Sequence, residues 1–242
     1  MFEFCNEESL LSADKLIRNN GKFPKTVIAV WQDAIAKQAM RVNPKKIASF
    51  TCGPKFTIFA LDEYAFCNIP SGGPAAACFI EECKARGAVN FVFTGACGLL
   101  DEKLADKLIV PSKALRDEGV SAHYTADKDK FIDITTAGQT SLILEGIPHV
   151  CAPVWTTDCP YRETLSAVEN ARKENCVAVD MECASIAAVS DFLEVNSYYV
   201  LFPADMFSIS SWDSGKLFSK DKNIYSSYLD LALLIAKAVN RS

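Results

Sequence analysis

The chain has 242 residues, half of them apolar, with a net charge of −5 and an acidic isoelectric point. That length and apolar share suit one α/β domain over residues 1–242 better than two small ones. The acidic balance, without blocks of like charge, excludes nucleic acid and anionic membrane surfaces as favoured partners.

The N-terminus MFEFCNEESLL lacks the basic start and apolar core of a signal peptide, and no apolar run reaches membrane-spanning length, so the sequence reads as cytoplasmic. TVIAVW (26–31), KIASF (46–50) and FTIFAL (56–61) read as strands. GPAAACFIEECKARG (73–87) reads as a helix opened by Gly-Pro and closed by glycine. VNFVFTG (89–95), KLIVPSKAL (107–115) and HVCAPVWTT (149–157) are strands, and TLSAVENARKE (164–174) is a helix. CVAVDM (176–181) is a strand, ECASIAAVSDFL (182–193) a helix and SYYVLFP (197–203) a strand. The amphipathic NIYSSYLDLALLIAKAVN (223–240) is a closing helix that packs on a sheet face. The alternation predicts an α/β fold with a twisted, mixed and mostly parallel central sheet flanked by helices. Ligands in such sheets bind at the carboxyl ends of strands. Of ten cysteines, Cys78, Cys83, Cys151, Cys176 and Cys183 lie in apolar segments and read as reduced, structural thiols. Without a C-x-x-C motif and with two histidines, no metal site is expected.

Five polar or glycine-rich clusters fall at strand exits. FTGACGLL (93–100) has two glycines that permit close backbone approach to a ligand, with Cys97 between them; a tight turn is the plainer reading. VAVDMECASIAA (177–188) sets Asp180 and Glu182 around Met181 at a strand-to-helix junction. Glu182 offers two acceptors suited to a ribose diol, or a carboxylate for the helix dipole. PADMFSISSWDSG (203–215) carries Asp205 out of an apolar strand into a loop with Trp212 as a cover. A partly buried aspartate there acts as an acid or as a turn residue. LRDEGVSAHY (115–124) holds Arg116, Asp117, Glu118 and His123, and TTDCPYRET (156–164) holds Asp158, Tyr161 and Arg162.

These clusters, in this order, resemble the nucleoside phosphorylase family of uridine phosphorylases, hexameric purine nucleoside phosphorylases and nucleosidases, over residues 25–240. The resemblance implies that Met181 and Glu182 contact the ribose and that Glu182 binds its 2′- and 3′-hydroxyls. It implies that Ala96, Cys97, Gly98, Tyr161 and Asp180 border the base, and that Asp205 protonates purine N7. The uracil-reading segment of uridine phosphorylases is absent after Tyr161, which favours a purine. The implied reaction is phosphorolysis of a purine ribonucleoside to ribose 1-phosphate and free base, in a homo-oligomer built from dimers, up to a hexamer. It needs phosphate as co-substrate and no cofactor or metal. Phosphorylases place an arginine and a serine or threonine where this chain has Phe93 and Ala96, and a Gly-Asp-Pro turn where it has Trp31, Gln32 and Asp33. Gly95, Arg116, Arg41 or an arginine of a neighbouring subunit are the replacement candidates for phosphate. Water as acceptor, a uridine phosphorylase, or nucleoside binding without turnover are the competing readings.

Overall fold

Residues Thr26–Val30 (β1) are buried on both faces, as a strand between two parallel neighbours must be. The computed structural model describes residues 4–17, 21–51, 56–208, 211–217, 219 and 221–240. The remaining strands are β2 (Lys46–Ser49), β3 (Thr57–Leu61), β4 (Tyr64–Asn68), β5 (Asn90–Leu99), β6 (Leu108–Asp117), β7 (Phe131–Asp133), β8 (His149–Thr157), β9 (Ala178–Asp180), β10 (Asn196–Phe207) and β11 (Trp212–Asp213). The helices are α1 (Ala13–Leu16), α2 (Asp33–Ala39), α3 (Gly73–Arg86), α4 (Ala137–Ile143), α5 (Leu165–Lys173), α6 (Cys183–Leu193) and α7 (Lys222–Val239).

The strands form one mixed sheet in the order β11-β10-β6-β8-β9-β5-β1-β4-β3-β2, with β7 on β6. A further pairing joins β10 to β5, so β5, β9, β8, β6 and β10 close into a ring. The β1–β4, β1–β5, β5–β10, β6–β8 and β8–β9 pairs are parallel, and the flank through β3 to β2 is antiparallel. Helix α3 packs on α6, and α7 packs on β1 and β5.

Two departures from the sequence expectation matter for the site. The glycine segment 94–98 is strand, not turn: β10 pairs with β5 from Asn90 to Leu99, and β9 joins it at Gly98 and Leu99. Asp205 likewise lies within β10, just after an irregularity between Pro203 and Asp205, because β11 pairs back onto Met206 and Phe207. Ile209 and Ser210 of the expected loop lie outside the described residues. Strands β4, β7 and β11 and helices α1, α2 and α4 add to the predicted set.

The described cysteines are all free thiols. Cys151 departs from its expected burial, since it sits on an outward position of β8 and is exposed. Among the described residues no helix is long and apolar enough to cross a membrane.

Candidate active site

A cavity of about 260 Å³ opens where β1, β5, β9 and β10 end. Its size lies near the lower end of small-molecule sites, about 300–1,000 Å³, and is too small for a polymer. Larger concavities beside β2 (about 640 Å³) and around residues 116–130 (about 740 Å³) hold none of Asp180, Glu182 and Asp205.

The junction at Asp180-Met181-Glu182 divides its labour. Asp180 is the capping residue: its Oδ2 accepts from the backbone N–H of Glu182 (2.8 Å) and Cys183 (2.7 Å), and its Oδ1 accepts from Thr156 Oγ1 (2.7 Å). Burial pushes its carboxyl above the usual range, while those bonds pull it back. Asp180 lines the cavity, but its Oδ2 is taken by the start of α6 and its Oδ1 by Thr156 of β8, so it caps the helix where a base contact was expected.

Glu182 stands at the N-cap position of α6 and yet makes no side-chain cap. Its Oε1 instead accepts from the backbone N–H of Gly72 at 2.5 Å, a tie to the segment that opens α3. It is 8% exposed, and burial together with the neighbouring Asp180 charge pushes its carboxyl up to about 8. Met181 lies beside it in the cavity wall. A buried carboxyl held by backbone N–H groups, with no cation among the described residues of the wall, fits a ligand that brings hydrogen-bond donors.

Asp205 faces the same cavity from β10. Trp212 Nε1 donates to its Oδ2 at 2.6 Å, so the expected cover residue serves instead to orient the acid. Burial raises the Asp205 carboxyl and the Trp212 bond opposes the rise. Gly98 makes this approach possible: a Cβ there would lie 2.9 Å from Phe207 Cε2, 3.0 Å from Val179 Cγ1 and 3.4 Å from Asp205 Oδ1.

Ala96, Cys97 and Gly98 line the cavity. Cys97 is buried, and burial pushes its thiol well up, so it is a packing residue there. Gly95 does not line it. A Cβ at Gly95 would come 2.6 Å from Trp31 Cε3, because the indole covers that residue. The same indole stacks on Phe93 (centroids 5.8 Å apart, 25° between planes), and Phe93 belongs to a buried cluster with Phe79, Phe91 and Tyr199.

The other expected contacts are corrected. Tyr161 is fully exposed. It sits in a 3-10 turn, Pro160–Arg162, and that turn's three-residue repeat brings Pro160 and Glu163 to the cavity while Tyr161 points to solvent. Arg116 is committed elsewhere: Nε donates to Ser121 Oγ (2.9 Å) and Nη1 to the carbonyls of Asp127 (2.7 Å) and Asp129 (3.1 Å). Arg41 is exposed on the turn after α2 and is absent from the wall. Among the described residues, no lysine, arginine or histidine lines this cavity, and no cluster is fit to hold a metal ion.

Glu163 is the site residue that sequence reasoning overlooks. Burial and the Asp205 charge push its carboxyl up to about 7. Trp31 and Gln32 also line the cavity, and Trp31 Nε1 and Gln32 Oε1 are buried without a hydrogen-bond partner among the described residues. The spacing of Pro160 and Glu163 is a signal for the first only once the 3-10 turn is known.

A model of the phosphorylase superfamily matches residues 41–221. A protein of Acanthamoeba polyphaga mimivirus is 28% identical over 139 residues, 57% of this chain and 55% of its own. A guanosine phosphorylase of Halorubrum lacusprofundi is 27% identical over 137 residues, 53% of this chain and 55% of its own. The chain thus spans about half the length of the curated relatives it matches. Among solved structures, uridine phosphorylase from Vibrio fischeri superposes with a TM-score of 0.71 at 15% identity, covering 95% of this chain and 99% of its own. AMP nucleosidase from Bacteroides thetaiotaomicron gives 0.71 at 17%, covering 96% and 100%. Purine nucleoside phosphorylase from Toxoplasma gondii gives 0.71 at 17%, covering 91% and 93%. At these identities the superpositions establish a shared fold, and the match over 41–221 supplies the kinship: the chain belongs to the phosphorylase superfamily.

Proposed function

We propose that this protein cleaves the N-glycosidic bond of a purine ribonucleoside. The observation that carries the reading is Glu182, a buried carboxyl released from helix capping by Asp180 and left facing a nucleoside-sized cavity. Ribose 2′- and 3′-hydroxyls donate to it, and Met181 floors the sugar. Asp205, held by Trp212, gives a proton to N7 as the C1′–N9 bond breaks, so the base leaves neutral and not as an anion. The sugar carries oxocarbenium character in that transition state, and the carboxylates around it favour positive charge.

Phosphate as acceptor is the reading that superfamily kinship supports, with ribose 1-phosphate as product. It calls for a cation from outside the described wall, and an arginine from a second copy in a homo-oligomer supplies one. The cationless wall favours a second reading, with water as acceptor. There the unpartnered Trp31 Nε1 and Gln32 Oε1 are a donor and an acceptor for a neutral nucleophile, where a dianion would meet carboxylates without compensation.

The test is to incubate the protein with guanosine, inosine, adenosine and uridine, with and without phosphate, and to separate free base, ribose and ribose 1-phosphate. Purine release defines the reaction, and the sugar product defines the acceptor. Phosphate dependence, if found, is expected to require more than about 1 mM phosphate, the top of the ordinary range. Uridine cleaved faster than every purine, or no nucleoside cleaved, refutes the proposal.

A further inference from the structure

The segment LRDEGVSAHY (115–124) supplies no residue to the cavity wall, yet its Glu118 is a hydrogen-bonding hub. Glu118 Oε2 accepts from the backbone N–H of Val120 (2.8 Å) and Ser121 (3.0 Å) and from Ser185 Oγ (2.6 Å), and its Oε1 accepts from Ser121 Oγ. Ser121 Oγ in turn accepts from Arg116 Nε. The bonds to Val120 and Ser121 are local and serve the 3-10 turn Ser121–His123. The bond from Ser185 is not local. Ser185 is a fully buried residue of α6, three positions after Glu182 and so on the same side of the helix. The start of α3 rests there. A Cβ on Gly73 would overlap Ser185 Oγ and lie 2.9 Å from Ser185 Cβ and 3.0 Å from Val120 Cγ2. The two side chains that close on Gly73 are thus on the two residues that Glu118 ties together. Gly72, next in the chain, has a φ of 107°, which glycine adopts readily, and its N–H is the donor to Glu182 Oε1.

We infer that Glu118 is a positioning residue for the ribose grip: through Ser185 and Val120 it seats Gly72 and Gly73 against the first turn of α6, and the Gly72 N–H then fixes the carboxyl of Glu182. The inference rests on the reading of Glu182 as the ribose-binding residue. Two vicinal hydroxyls are met by one carboxyl only in a narrow range of orientations, and a glutamate side chain has three torsions to lose before it reaches them. The Gly72 bond removes that freedom while α3 stays seated. Without Glu118 the buried Ser185 hydroxyl has lost its acceptor, and it must shift to find another. Gly73 is in contact with it and has no spare room, so the shift passes to Gly72 and to Glu182. Sites keep their geometry when the groups that touch the ligand are locked by packing and hydrogen bonds behind them.

A pair of uncleavable ligands tests this without turnover. 9-Deazainosine, whose carbon–carbon link to the ribose cannot be broken by phosphate or water, and its 2′,3′-dideoxy counterpart are titrated calorimetrically into the wild type, Glu118→Ala, Glu118→Gln and Ser185→Ala. The wild type is expected to bind the ribo ligand at least about tenfold more tightly than the dideoxy ligand, the equivalent of one hydrogen bond to a charged group. Glu118→Ala is expected to bring that ratio to within about threefold, by weakening the ribo ligand and sparing the dideoxy one. Ser185→Ala cuts the same tie with a smaller change, is expected to lower the ratio in the same direction, and carries the test if Glu118→Ala does not fold. Glu118→Gln keeps a carbonyl oxygen for Ser185 and the two N–H groups and should restore most of the ratio. A wild-type ratio that survives in Glu118→Ala and Ser185→Ala, or equal losses for both ligands, overturns the positioning role and leaves Glu182 as the ribose residue. A wild type that does not distinguish the two ligands overturns both.

Discussion

Replacing Glu182 with glutamine keeps shape and the acceptor for Gly72 N–H but removes the charge, so it separates what the carboxyl does for the ligand from what it does to the fold. Burial and Asp180 move the carboxyl from an ordinary value of 4.5 to about 8. At about 1.36 kcal/mol per unit, ionised Glu182 is less favourable in the folded protein by roughly 5 kcal/mol. Because the folded state holds the proton more tightly than the unfolded chain, its stabilising effect is complete below 4.5. It is lost as pH rises through about 8. By pH 7 roughly 3 kcal/mol of that stability is already gone. The wild type should therefore lose stability relative to Glu182→Gln between about pH 5 and pH 9, by some 3–5 kcal/mol, as followed by denaturant melts at each pH. Nucleoside binding should move the other way, weakened in the variant by about 2–3 kcal/mol, with little loss for a 2′,3′-dideoxynucleoside. Parallel stability curves for the two proteins across that range would refute the desolvated carboxyl. Equal losses for ribo- and dideoxynucleosides would refute the sugar grip.

Asp205→Asn should lower kcat on a purine nucleoside by about 10²–10⁴, the worth of a positioned general acid, and spare a nitrophenyl riboside whose leaving group needs no proton. Trp212→Phe removes the N–H that favours ionised Asp205, so the Asp205 carboxyl rises further and the alkaline limb of the kcat/KM profile should move to higher pH; an unmoved limb would count against Asp205 as the titrating acid. Gly95→Ala places a methyl 2.6 Å from Trp31 and should cost about 1–3 kcal/mol in melting experiments while shifting Trp31 fluorescence; an unperturbed protein would mean the indole is free to move aside.

Much of the architecture is legible in the sequence because period and side-chain type agree. Strands β1, β8 and β10 and helices α3, α5, α6 and α7 sit within a few residues of the runs that predict them. Segment 94–98 misleads because glycine after a strand is a turn signal locally. Only the distant β10, pairing along the whole of β5, shows that these glycines answer to packing against Trp31 and Asp205. Glu163 lines the cavity and Tyr161 does not, for a related reason. The motif TTDCPYRET announces an aromatic, but the 3-10 geometry decides which side chain turns inward. Arg116 and Arg41 are plausible anion ligands by charge alone, and hydrogen bonds to Asp127 and Asp129 in one case, and exposure in the other, are tertiary facts that no local pattern encodes.

The acidic character of the cavity follows from an order of dependence among its carboxyls. Asp180 receives two backbone N–H groups at the start of α6 and the Thr156 hydroxyl, so it is the best placed of them to hold a charge while buried. That charge sits beside Glu182 and raises it, as the Asp205 charge raises Glu163. The result is two satisfied or oriented acids, Asp180 and Asp205, each holding a second acid in reserve near neutrality. A ligand that brings hydroxyl donors would supply what Glu182 lacks, and a positively charged sugar would be favoured by those of the four that are ionised. The cavity is thus organised around donors and developing positive charge, which is why an anionic acceptor is the component it is least equipped to hold by itself.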